Sequence, residues 1–270
     1  MNTISKQTNH CRIVFFIICV LLSYTSLRAQ SRKVRVIELR NYLIKTGYRD
    51  YFIDFFENIA IDTLNARKNY VLGQYRVKSS PDNFLWIRGF DDMTSRLAAL
   101  DGFYSSNYWK QHENVPLTYV AGYTNVYLLK PLNLSGKRTD STSGFEMDWF
   151  GKQKGLAVVD FYVANEMRTQ WIDFVATYYD SVMRASGVTD VSYWISESSP
   201  NNFPSLPVFQ DKNLLVTITF FKDELQYNNT KKKIESSINE EDKFEMNRIL
   251  TTKTTWVLLP TKKSFSSKMK

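Results

Sequence analysis

Histidine and cysteine are almost missing from the 270 residues. There are two of each, and three of the four, His10, Cys11 and Cys19, fall in the first 20 positions, leaving only His112 further on. Lys6 and Arg12 form a basic stretch before an apolar run, Ile13 to Leu22 (IVFFIICVLL), after which SYTSLRA ends at Ala29. A run of about ten apolar residues falls short of the ~20 that span a bilayer and suits a signal-peptide core. Residues 1–29 are therefore expected to be a signal peptide cleaved after Ala29 or Gln30, with an uncleaved anchor as the alternative. The processed chain would be exported, periplasmic or secreted, without a stable membrane span. It would hold no thiol for a disulfide, a thiolate nucleophile or a metal, and no acceptor for a lipid anchor.

A strong charge of one sign is missing too. The formal charge of +8 falls to +5 once Lys6, Arg12 and Arg28 are removed. Lys231-Lys232-Lys233 and the basic tail over 262–270 (Lys262, Lys263, Lys268, Lys270) read as solvated surface. No element joins a basic stripe to stacking aromatics, so nucleic acid is not an expected partner. Aromatics are plentiful instead, at 15%, which supports substantial cores in one large domain or two smaller ones.

Periodicity orders the rest. Val34 to Tyr42 alternates as a strand, and Arg49 to Ala66 follows as a helix with Phe52, Phe55, Phe56 and Ile59 on one face. Val71 to Val77 and Phe84 to Phe90 are strands joined through Ser79 to Asn83. Asp91 can cap a helix carrying Met93, Leu97 and Leu100. The segment FYSSNYWKQHEN (Phe103 to Asn114) continues that helix or forms a second, and Asn125 to Leu129 is a strand closed by Pro131. The order β-α-β-β-α-β is the ferredoxin-like plan. Residues 133–154 lack periodicity and read as a linker.

The plan then restarts over 155–261. Strands are expected at Leu156 to Val163, Val191 to Ser196, Leu214 to Phe221 and Thr254 to Leu259. Helices are expected at Thr169 to Met183, Asp223 to Ile238 and Glu241 to Leu250. Ile53-Asp54-Phe55 matches Ile172-Asp173-Phe174, and SSPDNF (Ser79 to Phe84) matches SSPNNF (Ser198 to Phe203), both 119 positions apart. A duplicated α+β chain follows, with Pro204 to Asn213 lengthening the second central connection.

The first half, over 34–132, resembles the NIPSNAP family of the dimeric α/β-barrel superfamily. The resemblance rests on IELRNYLIKTGYRDYF, VLGQYR, DNFLWIRGFDDMTSRLAALDGFYSSNYWKQH and NVYLLKP. The second half looks like a diverged copy, without counterparts of WIRGF or of the opening segment. The resemblance implies two ferredoxin-like units packed sheet to sheet, in a monomeric pseudo-dimer or a homo-oligomer. It supplies no catalytic residues; sister families include cofactor-free oxygenases and haem-degrading enzymes, by analogy only.

Alternation places Glu38, Arg40 and Tyr42 on one strand face, with Trp86 and Arg88 matching on another and Gln74 and Arg76 on a third. The aliphatic faces are expected to meet the helices, so the charged faces should line the space between the sheets. One acid among three arginines then means either ion pairing across the halves, for example with Asp160, or a cavity for a small anionic or aromatic ligand. In the latter, Arg40, Arg76 and Arg88 hold the anion, with Glu38 and Tyr42 beside them. In the processed chain His112 lacks a Gly-x-Ser-x-Gly partner and any second His or Cys, so neither a nucleophilic triad nor a metal site is expected. Its structural reading is a local hydrogen bond. The functional one makes His112, Trp109 and Trp86 the residues to test for a cofactor-free oxygenase acting on an aromatic or quinone-like compound. A binding module without catalysis or cofactor is the first reading, and a purely structural interaction protein is the third.

Overall fold

A computed structural model describes residues 32–135, 138–140, 143–165 and 168–264. The expected signal peptide and the tail beyond 264 lie outside them. The strands are β1 (Lys33–Val34), β2 (Val36–Ile44), β3 (Tyr70–Val77), β4 (Asn83–Phe90), β5 (Val120–Ser135), β6 (Arg138–Asp140), β7 (Phe145–Glu146), β8 (Leu156–Ala164), β9 (Asp190–Ser196), β10 (Leu214–Phe221) and β11 (Leu250–Pro260). Each half orders its four long strands alike, β5-β2-β4-β3 and β11-β8-β10-β9. The edge strand of each sheet pairs antiparallel with the last strand of the other, β3 with β11 and β9 with β5. Eight strands thus close into a barrel inside one chain, which removes the exposed edges that would invite another chain to pair.

Ile37, Leu39, Leu85 and Ile87 from the first half meet Val159, Phe161, Val216 and Ile218 from the second in one buried cluster. An eight-stranded barrel is just wide enough for side chains to fill, and these fill it. The expected site between the sheets is therefore corrected. Alternation separates charged from aliphatic positions as read, but the sides are reversed: the aliphatic face is inside the barrel, and Glu38, Arg40, Trp86 and Arg88 lie under the helices. The reason is partners. The inward residues of the second half are mostly aliphatic or aromatic and include no charged group to pair with Glu38, whereas the helix-facing side supplies Arg96 to Glu38 and Asn69 to Arg88.

The first long helix runs Arg49–Phe55, passes through a π turn at Phe56–Ala60 and continues as Ile61–Ala66. Its counterpart runs Arg168–Phe174, π turn Val175–Tyr179, then Asp180–Ala185. The widened turn stands at the same place in both halves, which supports duplication beyond the short sequence matches. It also rotates the apolar face: Phe56, Ala60, Ile61 and Leu64 are buried, while Ile59 is exposed. The following helices repeat too. Asp92 caps Met93–Tyr104 by accepting from Ser95 N, and Asp223 caps Glu224–Ser237 by accepting from Gln226 N. The cap is thus Asp92 rather than Asp91. Ser106 and Asn239 start the shorter helices Asn107–His112 and Glu240–Ile249 in the same way.

The segment read as a linker does more than connect. After β6 and β7 it forms a short helix, Asp148–Lys152. Met147 and Phe150 are buried in the barrel cluster, and Phe145 packs at a tilt against Trp194. The fifth strand likewise runs through Pro131 instead of ending there. No helix of the described residues is long and apolar enough to cross a membrane.

Candidate functional site

On the helix-facing side of the first sheet, β2 and β4 place Glu38 opposite Arg88 and Arg40 opposite Trp86. The Glu38 carboxylate is fully buried and collects three guanidinium groups. Arg88 donates to Oε2 through Nη2 at 2.7 Å and Nε at 2.9 Å, Arg40 donates to the same oxygen, and Arg96 donates through Nε to Oε1 at 2.7 Å. Arg40, Arg88 and Arg96 are themselves buried. Burial raises the Glu38 carboxyl, but Arg88, Arg40 and Arg96 outweigh it and hold the group well below its ordinary value. Glu38 stays ionised, and the cluster keeps a formal excess of two positive charges.

Above this cluster lies a cavity of about 300 Å³. Arg40 and Arg88 form its charged floor, and Phe52, Phe56, Trp86, Phe103 and Trp109 give it aromatic walls. None of its lining residues is acidic. Two guanidinium groups lie close to the Trp86 ring, Arg40 at 5.7 Å and Arg88 at 5.3 Å from its centroid. Arg40 also donates from Nε to the Tyr42 hydroxyl at 2.9 Å. Burial raises the Tyr104 hydroxyl, and it pushes Tyr123 up to about 12, so both keep their protons at neutral pH. Trp86 Nε1, in the cavity wall, is a buried donor without a hydrogen-bond partner among the described residues. The arrangement can therefore hold a flat apolar body whose polar end carries acceptors.

His112 also lines the cavity. Its Nδ1 lies 2.8 Å from the Tyr108 carbonyl oxygen, and its ring stacks on Tyr108 at 4.4 Å. A carbonyl oxygen only accepts, so Nδ1 carries the proton and Nε2 is the acceptor of the neutral ring. This is a local hydrogen bond of the kind the structural reading describes, and His112, Trp109 and Trp86 line the same cavity. Among the described residues no three His, Cys, Asp or Glu side chains converge as metal ligands would.

Of the arginines read as one set, Arg76 stands apart. It lies two residues along β3 from the cavity row and pairs with Asp50 at 2.7 Å, one-third exposed. The expected partner Asp160 meets none of them; it accepts from Thr255 and lies 4.0 Å from Lys253 in the second half.

Sequence reasoning passed over Arg96, although it carries a signal. Arg96, Ala99, Leu100 and Phe103 are the buried positions of their helix, a stripe at helical spacing with one arginine in it. Also missed was the wall supplied by the second half. Ser205, Leu206 and Pro207, from the connection between β9 and β10, line the cavity. Phe203 stacks on Tyr104 at 5.7 Å, while Asn201 and Asn202 accept from Arg96 Nη1 at 3.0 and 2.6 Å.

No protein-family model matches the sequence, and no curated protein matches it significantly. Solved structures do share its architecture. A monooxygenase candidate from Fusobacterium nucleatum aligns over 85% of this chain and 94% of its own, at 12% identity and a TM-score of 0.53. An anthrone oxidase-like protein aligns over 86% and 93%, at 8% identity and a TM-score of 0.54. An uncharacterised NIPSNAP domain protein from Burkholderia xenovorans covers 36% of this chain and 93% of its own, at 16% identity and a TM-score of 0.33. At such identities the two full-length alignments establish the fold alone: a dimeric α/β-barrel architecture built within one chain.

Proposed function

We propose that this is an exported, NIPSNAP-type binding protein whose first-half cavity takes a small aromatic compound bearing a carboxylate or similar acceptor. The observation that carries the proposal is the pair of buried guanidinium groups, Arg40 and Arg88, under aromatic walls with no acid among the lining residues. An anion there meets charge-assisted donors in a site of low polarity, and the walls reward a flat ring. Titration with 2-naphthoate, followed by calorimetry and by tryptophan fluorescence, tests this. Binding is expected for the acid and at least roughly tenfold weaker for neutral 2-naphthamide, the worth of one hydrogen bond to a charged group. Equal affinities, or none for either, would remove the proposal.

A second reading rests on the acceptor nitrogen of His112. The same cavity could oxidise an anthrone without a cofactor: His112 takes a ring-methylene proton, and O2 converts the carbanion to the quinone with release of water. Oxygen uptake with an anthrone, lost in His112→Ala while naphthoate binding persists, would support it. Absent uptake in the unaltered protein leaves binding as the sole role.

A further inference from the structure

We propose that the β9–β10 connection of the second half is the size-selecting wall of the first-half site, with Leu206 setting the length of the ring system admitted and Asn201 and Asn202 holding the wall shut. This rests on the binding reading above and adds the residues that decide which aromatic acid fits.

The corresponding connection in the first half, Lys78 to Asp82, is a tight turn, and the shared SSPxNF segment shows that the two began alike. In the second copy the chain continues through Pro204 to Asn213 and crosses to the other half. There it is fastened at both ends. Near its start, Asn202 donates to the Met93 carbonyl at 2.6 Å, and both asparagines accept from Arg96. Near its finish, Phe209 N donates to the Val126 carbonyl at 2.7 Å, and Leu128 N donates to the Phe209 carbonyl. Between these anchors Asn201 donates to the Leu206 carbonyl at 2.9 Å, closing a small loop that presents Leu206 to the cavity. Leu206 also packs against the buried cluster of Val36, Phe90, Leu100 and Leu128.

Arg96 connects this wall to the charged floor. One guanidinium binds Glu38 through Nε and the two asparagines through Nη1. The segment that bounds the ligand and the cluster that binds its anion therefore share a side chain. Opening the wall costs Arg96 two hydrogen bonds while its ion pair stays intact, so the wall can move without dismantling the floor.

Affinities for benzoate, 2-naphthoate and anthracene-2-carboxylate, with one, two and three fused rings, test the inference on the full chain. Leu206→Ala is expected to favour the three-ring acid over the one-ring acid by about tenfold relative to the unaltered protein, and Leu206→Trp to reverse that preference. Opposite shifts from one position cannot come from a general loss of folding. The double change Asn201→Ala and Asn202→Ala is expected to speed release of 2-naphthoate by a similar factor. It should also raise acrylamide quenching of the fluorescence component that disappears in Trp109→Phe. Unchanged ring preference in both Leu206 variants, with unchanged release and quenching in the asparagine variant, would overturn the inference. If the unaltered protein binds none of the three acids, the binding reading fails, and the quenching result then decides by itself whether the segment closes the cavity.

Discussion

The two halves share a backbone plan and differ in what they have placed on it. Matching β2 to β8 and β4 to β10 by register sets Glu38 opposite Arg88 where the second half sets Val158 opposite Thr219, and Arg40 opposite Trp86 where it sets Asp160 opposite Thr217. Tyr42 and Tyr162 alone remain alike in this set. The second half also has a space between helices and sheet, about 420 Å³, but its floor carries Asp160 and Lys253, and Lys231, Glu235 and Lys243 also line it. Acids and cations are mixed there, whereas the first-half cavity is lined by arginines without an acid. One half carries a buried cationic cluster, and the other lacks it and extends a connection over its neighbour.

That contrast can be broken by substitution. Glu38→Ala should have the largest effect, because it leaves three buried guanidinium groups without their anion. A loss of about 3–5 kcal/mol in chemical denaturation is expected, against roughly 2 kcal/mol for Val158→Ala at the matching place. Equal losses would mean that the two floors are equivalent after all.

Acidity sharpens the same comparison. The Glu38 pKa in the folded protein lies well below its ordinary 4.5. Its contribution to stability is therefore complete above that value and is lost as pH falls toward the folded value. Glu38→Gln should flatten the acid limb of the stability profile, as followed by chemical denaturation at a series of pH values. At neutral pH, Asp160→Asn should have the smallest effect, about 1 kcal/mol. Asp160 keeps 18% side-chain exposure, and water can replace part of what Thr255 and Lys253 provide.

Much of the architecture was legible because periodicity is a local property. The alternation of Glu38, Arg40 and Tyr42 identified their shared face, and the 119-residue offset identified the repeat. What local pattern could not supply was the side of the sheet on which that face lies. That depends on which neighbour offers hydrogen bonds, and the deciding neighbour, Arg96, looked like one polar residue in an apolar helix. The π turn at Phe56–Ala60 escaped for a related reason. An extra residue in one turn leaves no compositional mark, yet it moved Ile59 into solvent. The wall was hidden by distance, since Asn201 and Asn202 lie 105 and 106 positions from Arg96. Arg76 misled because alternation identifies a face but not how far along it a cavity extends.

The seams of the barrel bear on how the chain reaches its final form. Strand β3 is made early, yet its outer edge pairs with β11, the last strand among the described residues. A first half folding alone, as it leaves the ribosome, would present that edge unpaired. The remaining strands must be delivered before it is covered. Cutting the molecule between its repeats should therefore yield two adhesive fragments instead of two small independent proteins.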